Sequence, residues 1–441
     1  MKQVTLKTTE QIKAHIRTAG ASLYTGARTS TVIPFEKMET LGDLDLTIVD
    51  CSGLPQSMQI EGDLLHIKGP VSWKDAKSFA RSKGVEVMTS PTEELAAIPA
   101  GVATSCTGER CFGHGTLRSQ VHKLRYLNSE GNEVELSSST KLELPQASDK
   151  LKEYQSAYTH YESFKNAPFP RFMSETDLLT GTEGQLGFIT EVWLKTTPLV
   201  PLSYLFIKLP CWDVDPTAHL EIFDKVQSLR SQISACELLD AHCLATLPKE
   251  KLPAGCDGRD LIFLEIKDQD FEMVYEVLLS KLNTINEDDI FQMNANACHA
   301  LRMEVPRAVF EQNTKMGVTK KGTDVQVAAK DFAKLLKHYK EMTKIGVPYN
   351  LFGHFGDAHL HFNFMPTPDK EPACQNSLLG LYEKVFEWGG SPFAEHGIGF
   401  LKRPFIEKFY SETQRQLFRE LKRVHDPKNH FFPQGFMGRA K

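Results

Sequence analysis

The sequence predicts an α+β protein of two domains, and three observations carry that prediction. At 441 residues the chain is too long for a single hydrophobic core of ordinary size. Up to Thr197-Pro198, short β-patterned runs alternate with amphipathic helical ones. Beyond that point the composition changes: strand-like runs at 202–209 and 261–266 alternate with helical patterns at 218–232 and 271–282, the order expected of a sheet with helices on one face. The expected divisions are 1–198, 199–405 and a closing segment, 406–441.

Taken in order, residues 8–19 pattern as a helix with Thr8 as N-cap and Gly20 as its stop. A short strand through Leu23 and Tyr24 then enters Thr25-Gly26-Ala27-Arg28-Thr29-Ser30. Small residues after a strand let backbone N–H groups approach a phosphate, although an ordinary turn has the same composition. Strands are expected at 46–50, 56–61 and 64–69, the last two forming a hairpin around Gly62-Asp63, and Ser72 opens a helix that ends before Gly84. Residues 98–121 are again rich in small side chains, with Ala100, Gly101, Ser105 and Gly108 followed by His114 and Gly115. Either a ligand or a packed turn passes close to that backbone. A hairpin at 123–136 follows. Residues 180–190 then repeat the small-residue theme with Glu183, Gly184 and Gly187 before a strand at 189–196. In the second half, helices are expected at 331–343, 379–388 and 412–424.

The composition excludes several classes. A net charge of −5 with no basic block argues against nucleic acid as the main partner. No run approaches the roughly 18 apolar residues that cross a bilayer, and the polar first twenty residues hold no signal core. A cytoplasmic protein without a transmembrane segment is expected. Nine scattered cysteines with no C-x-x-C pair fit reduced thiols rather than an iron–sulfur or zinc-thiolate site.

The densest chemistry lies in Asn350-Leu351-Phe352-Gly353-His354-Phe355-Gly356-Asp357-Ala358-His359-Leu360-His361-Phe362-Asn363. Alternation puts His359, His361 and Asn363 on one strand face, and Gly356-Asp357 is turn chemistry, so a hairpin with His354 at the mouth of its turn is expected. Converging imidazoles can hold a metal or serve proton transfer; the alternative is a set of partly solvated histidines on a sheet edge. A second segment, Glu395-His396-Gly397-Ile398-Gly399, reads either as a turn or as a site element. In the second case Glu395 completes a His₂-carboxylate set with His354 and His361, compatible with zinc, iron or manganese, and His396 remains as a base.

The three small-residue stretches, in this order, resemble the FAD-binding (PCMH-type) domain of the vanillyl-alcohol-oxidase superfamily. Residues 25–30 resemble its Arg-Gly-Gly-Gly-Thr-Ser loop. Residues 98–121 resemble Gly-Gly-x-x-Ala-Thr-x-Ala-Gly-Gly…Tyr-Gly-x-x-Arg-Asp, and 181–190 resemble Gly-Ser-Glu-Gly-x-Leu-Gly-Ile-Ile-Thr. The resemblance implies a two-subdomain FAD cradle built from 25–30, Pro91, the small residues of 98–115, Glu183, Gly184, Gly187, Phe188 and Ile189. It also implies an α+β cap domain with an antiparallel sheet. Thr29 stands where some relatives carry a histidine bonded to the flavin, so the FAD is expected to be non-covalent. Pro99 and Cys106-Thr107 depart from the pattern.

Residues 353–363 and 395–399 resemble Gly-His-x-Gly-Asp-Gly-Asn-x-His-x-Asn and Glu-His-Gly-x-Gly of the branch that holds glycolate oxidase subunits, D-lactate dehydrogenases and D-2-hydroxyglutarate dehydrogenase. That branch implies oxidation of a D-2-hydroxy acid to the 2-oxo acid, with hydride passing to flavin N5. By position, His354, His361 and Glu395 hold a divalent metal and His396 takes the hydroxyl proton. Arg302 grips the substrate carboxylate, its other reading being a surface helix charge. Lys321 adds a second cationic contact, and Asn363 faces the substrate. Ala358-His359 replace the usual Gly-Asn, so His359 is an extra ligand, a second base or a substitute donor. The end of the chain, 426–435, resembles Asp-Pro-x-x-x-x-Asn-Pro-Gly-Lys and is expected to return to the flavin domain.

The electron acceptor would be a quinone, an electron-transfer protein or oxygen. The chain would act as a homodimer or as a subunit of a redox complex, in the cytoplasm or at the inner face of a membrane. Two other functions stay open: oxidation of a different alcohol, and a non-catalytic flavin-binding subunit.

Overall fold

The computed structural model describes residues 2–42, 44–279 and 285–440; the end of the helix expected at 271–282 therefore lies outside the described residues. The architecture is α+β in two compact units. One unit comprises Met1–Gly108, Thr116–Leu199 and Glu395–Lys441, and the other Glu109–Gly115 and Val200–Ala394.

The first unit holds two sheets. In the smaller one, β1 (Lys2–Thr5) and β2 (Ser22–Thr25) flank β3 (Thr47–Asp50), all parallel. A helix, Thr9–Thr18, connects β1 to β2. It starts where it does because Thr8 Oγ1 accepts the Gln11 N–H at 3.2 Å while Gln11 Oε1 accepts the Thr8 N–H, a reciprocal cap. Its Ile12 and Ile16 are spaced to share a face and pack with Val49, Leu127 and Phe431. The larger sheet runs β4 (Ser57–Glu61), β5 (Leu64–Lys68), β9 (Phe188–Pro198), β7 (Val121–Leu127), β8 (Glu133–Ser137), and β6 (Val85–Val87) also pairs with β9. The chain end lies beside β2: Ser22 donates its N–H to His430 O at 2.7 Å, and Phe432 donates to Ser22 O at 2.9 Å. Buried Lys422 fastens this tail through Asp426, Gln185 O and Phe431 O.

The second unit is built on one antiparallel sheet of seven strands. Its strands are β10 (Leu202–Leu209), β11 (Ile233–Leu239), β12 (Asp260–Lys267), β13 (Ile290–Met293), β14 (Lys321–Gly322), β15 (Tyr349–His354) and β16 (His359–Phe364), in the order β13-β10-β12-β11-β15-β16-β14. One expectation is corrected here. The helix expected over 218–232 ends at Ser228, and Ile233–Leu239 is a strand with every residue buried. A strand covered on both faces loses the alternation that marks a half-exposed one, so 233–239 carried no expected element. The helix Ala295–Met316, capped by Asn294 at its start and by left-handed Gly317 at its end, carries Arg302.

Candidate functional site

In the first unit the three small-residue stretches meet. Gly26, just past β2, packs against Ala97: an added Cβ would stand 3.1 Å from the Ala97 Cβ. The second and third stretches are joined by backbone bonds, Gly181 N–H to Val102 O at 3.1 Å and Glu183 N–H to Ala103 O at 2.7 Å. Gly108 lies so close to Ser90-Pro91 that a Cβ there would come within 2.0 Å of Ser90 O. Each stretch also contains one non-glycine residue with a left-handed backbone: Arg28 at φ 57°, Ser105 at 49° and Glu183 at 54°. Such conformations cost energy and gather at ligand-binding turns.

Two buried hydroxyls in this region, Ser105 Oγ and Thr107 Oγ1, have no hydrogen-bond partner among the described residues. Buried polar atoms are nearly always paired, so these two are donors suited to a polar ligand lying on the loop. The donor-rich, small-residue surface fits the phosphate and ring edges of FAD. Beneath it, the buried Lys165 ammonium donates to Gly108 O at 3.2 Å and Asn166 Nδ2 to Ser105 O at 3.0 Å. Gly187, Phe188 and Ile189 are taken up in packing: a Cβ on Gly187 would strike the Tyr126 ring at 2.4 Å, the Phe188 ring lies 5.0 Å from that of Tyr24, and Ile189 is buried opposite Tyr126 in the β7–β9 pair. His114 and Gly115 belong to the second unit, where His114 Nε2 lies 3.2 Å from Ser234 Oγ.

Glu183 also organises the Glu395-His396-Gly397-Ile398-Gly399 segment. Its carboxylate accepts the Ile398 N–H at 2.6 Å and the Gly399 N–H at 3.0 Å. Burial lifts the Glu183 carboxyl above its ordinary value, against the opposing pull of those N–H groups and of Lys402. The two residues carrying the proposed chemistry, Glu395 and His396, thus precede a backbone tied down by a buried acid.

In the second unit the histidine-rich stretch forms the expected hairpin of β15 and β16, with Ala358 at φ 51° closing its turn. His354 pairs directly opposite His359, and Phe352 opposite His361. The three imidazoles cluster, with ring centroids 5.2 Å apart for His354–His359, 4.7 Å for His359–His361 and 5.7 Å for His354–His361. Gly353 makes room for them: its φ is 122°, and a Cβ there would stand 2.8 Å from His361 Cδ2. His354 Nδ1 donates to Glu237 Oε1 at 2.7 Å, and His361 Nδ1 to Thr323 O at 3.2 Å. A carboxylate and a carbonyl can only accept, so both rings carry the Nδ1 proton, and Nε2 is the nitrogen by which either could ligate a metal. That second shell fits a borderline divalent metal. His359, fully buried, faces Asp324 Oδ1 at 3.5 Å. Ala394, the last residue of this unit, donates its N–H to Asp324 O at 2.9 Å, and Glu395 follows it in the chain.

The remaining expected residues have protein partners. Arg302 is held in a two-pronged ion pair by Glu109, Nη1 to Oε1 at 2.8 Å and Nη2 to Oε2 at 2.6 Å, with its guanidinium 5.5 Å from the Phe263 ring. Burial pulls its pKa down, but Glu109 and then Glu237 outweigh burial and raise it. Lys321 pairs with Glu371. Asn363 donates its amide to Asn350 Oδ1 at 3.0 Å and to His361 O at 3.2 Å.

Sequence reasoning missed Glu237, Glu109, Asp324 and Lys165. For Glu237 a signal exists: it is a lone acid within the apolar run 233–239. Nothing local marks Glu109, whose partner lies 193 positions away.

Residues 215–434 match the profile described as FAD linked oxidases, C-terminal domain. Among curated proteins, the mitochondrial D-lactate dehydrogenase [cytochrome] of Kluyveromyces lactis is 22% identical over 390 residues, covering 82% of this chain and 60% of that protein. The glycolate oxidase subunit GlcD of Bacillus subtilis is 24% identical over 274 residues, 58% of this chain and 55% of its own length. The mitochondrial D-2-hydroxyglutarate dehydrogenase of Danio rerio is 29% identical over 269 residues, 57% and 48% of the two chains. The match thus spans about half to three fifths of the length of these relatives. Among solved structures, p-cresol methylhydroxylase with substrate bound superposes with a TM-score of 0.69 at 12% identity, covering 99% of this chain and 88% of that one. This likeness gives the fold as that of the PCMH-type flavoproteins. Among the described residues, no helix is long and apolar enough to cross a membrane.

Proposed function

Because the chain belongs to the FAD-linked oxidase family, we propose that it oxidises a D-2-hydroxy acid of the glycolate, D-lactate or D-2-hydroxyglutarate type to the 2-oxo acid. The observation that carries this reading is the clustering of His354, His359 and His361 on one hairpin, with the Nδ1 of His354 held by Glu237 and that of His361 by Thr323 O. FAD supplies a two-electron acceptor when bound, and a divalent metal (zinc, iron or manganese) a Lewis acid that acidifies a coordinated hydroxyl.

The chain's own residues divide the remaining work. The loops at 25–30, 98–108 and 181–184 would hold FAD without a covalent bond, with Ser105 and Thr107 as hydroxyl donors. His354, His361 and Glu395 would hold the metal. Glu237 fixes the His354 tautomer and so aims its Nε2. His396 would take the proton from the substrate hydroxyl, its backbone steadied by the bonds from Ile398 and Gly399 to Glu183. His359 would serve as a donor beside the ligands, with Asp324 Oδ1 3.5 Å from its Nε2. The acceptor for the flavin's electrons is a separate quinone, electron-transfer protein or oxygen, since the nine cysteines are scattered with no C-x-x-C pair.

A second reading, oxidation of an alcohol without a carboxylate, draws support from the occupation of Arg302 by Glu109. Anaerobic titration of the yellow holoprotein with paired D- and L-2-hydroxy acids separates the two. Bleaching by a D-acid supports the first. Bleaching only by alcohols lacking the carboxylate supports the second.

A further inference from the structure

One strand-pair face of the second unit carries an ordered layer of charge. Glu237 on β11 stands directly opposite Phe263 on β12, so their side chains share a face, and Glu265, two residues on, shares it too. His354 bonds Glu237, and the Arg302 guanidinium lies over Phe263. Two consecutive residues of the 109–115 segment complete the layer: Glu109 pairs with Arg302, and Arg110 Nε meets Glu265 Oε1 at 2.6 Å. The segment is pressed onto β11, since a Cβ on Gly113 would fall 2.3 Å from Ile233 O. Three carboxylates therefore face two guanidiniums on this layer, within one side chain of the hairpin's first histidine.

With the carboxylate beside the hydroxyl taken by a metal at the histidines, Arg302 would otherwise be the group to bind a second carboxylate on the substrate, because its fork matches a carboxylate's two oxygens. Here Glu109 already engages both prongs, Nη1 through a hydrogen bond to Oε1 and Nη2 through an ion contact with Oε2. A second carboxylate on the substrate would meet a corner with more acid than base. It could reach the fork only by turning out Glu109 and leaving a mostly buried carboxylate without its partner. We propose that Glu109 is a specificity-determining residue: by holding Arg302 it restricts the site to 2-hydroxy acids with a single carboxylate, such as glycolate or D-lactate, and disfavours dicarboxylic ones. The inference rests on the 2-hydroxy-acid reading above and narrows its substrate class.

The test compares flavin-reduction kcat/KM for D-lactate with that for D-malate and D-2-hydroxyglutarate in wild type, E109Q and E109D. E109Q removes the competing charge, so one charge-assisted contact to Arg302 becomes available, and the ratio should move toward the dicarboxylates by roughly 10- to 100-fold. E109D keeps the charge but shortens its reach; it should move the ratio the same way by less, and it serves if E109Q fails to fold. A ratio unchanged in both variants overturns the inference, as does an equal gain for mono- and dicarboxylates, which would make Glu109 a placeholder for any substrate carboxylate. Wild-type flavin that no 2-hydroxy acid reduces would instead sink the oxidation reading, and this inference with it.

Discussion

Glu237 Oε1 lies 2.7 Å from His354 Nδ1, which ties the central strand β11 to the first histidine of the β15–β16 hairpin. Removing the negative charge while keeping the shape, as in E237Q, weakens the orientation of the ring and the basicity of its Nε2. Metal affinity should then drop about 10- to 100-fold, as expected for loss of an outer-shell carboxylate. Competition with a chelator, followed by elemental analysis, measures it. Unchanged affinity would mean that the Glu237 charge does not tune His354 as a ligand.

Gly353 tests the same centre by crowding it. A methyl group there meets His361 Cδ2 at 2.8 Å, in a backbone conformation of φ 122° that alanine resists. G353A should lose metal while retaining flavin, because the loops of the first unit are untouched. Parallel loss of both would indicate general unfolding and would refute this local account.

The bonds from Ile398 and Gly399 to Glu183 give a third prediction. E183A leaves two buried N–H groups without their acceptor and should cost about 3 kcal/mol in denaturant unfolding, while E183Q, which can still accept, should cost about 1 kcal/mol. Flavin reduction by substrate in E183Q should slow more than its flavin content falls, since the segment after His396 loosens. Equal stability of wild type and E183A would remove Glu183 as the anchor.

A pH effect should come from His425, in the last turn of the helix Glu412–His425. Burial lowers its pKa from 6.5 to about 4. Between those values the unfolded chain binds a proton that the folded one refuses, so stability falls as pH drops from about 6.5 through about 4. Allowing for its partial exposure, the effect is on the order of 2 kcal/mol. H425Q should flatten that limb of the stability–pH curve, and an unaltered curve would assign the acid sensitivity elsewhere.

Local pattern carried much of the architecture because local physics decides it. Thr8 and Gln11 cap a helix within four residues, and alternation from His359 to Phe364 sets a strand face. The histidine hairpin was legible for that reason, and the three small-residue loops were legible through resemblance. What escaped was set at long range. Glu237 lies on a strand buried on both faces, where the alternation that marks a half-exposed strand is missing. The Glu109–Arg302 pair joins positions that no periodicity connects. Left-handed backbone at Arg28, Ser105 and Glu183 is likewise imposed by packing, since none of the three residue types announces it.

In the proposed reaction a metal at His354 and His361 assists oxidation of a 2-hydroxy acid. The most direct measurement is anaerobic bleaching of the flavin by D-lactate or glycolate, in the holoprotein, after chelation, and after re-addition of zinc or manganese. The account predicts fast bleaching, its loss on chelation with flavin still bound, and recovery with the metal. Bleaching at the same rate in the chelated, metal-free flavoprotein would contradict it.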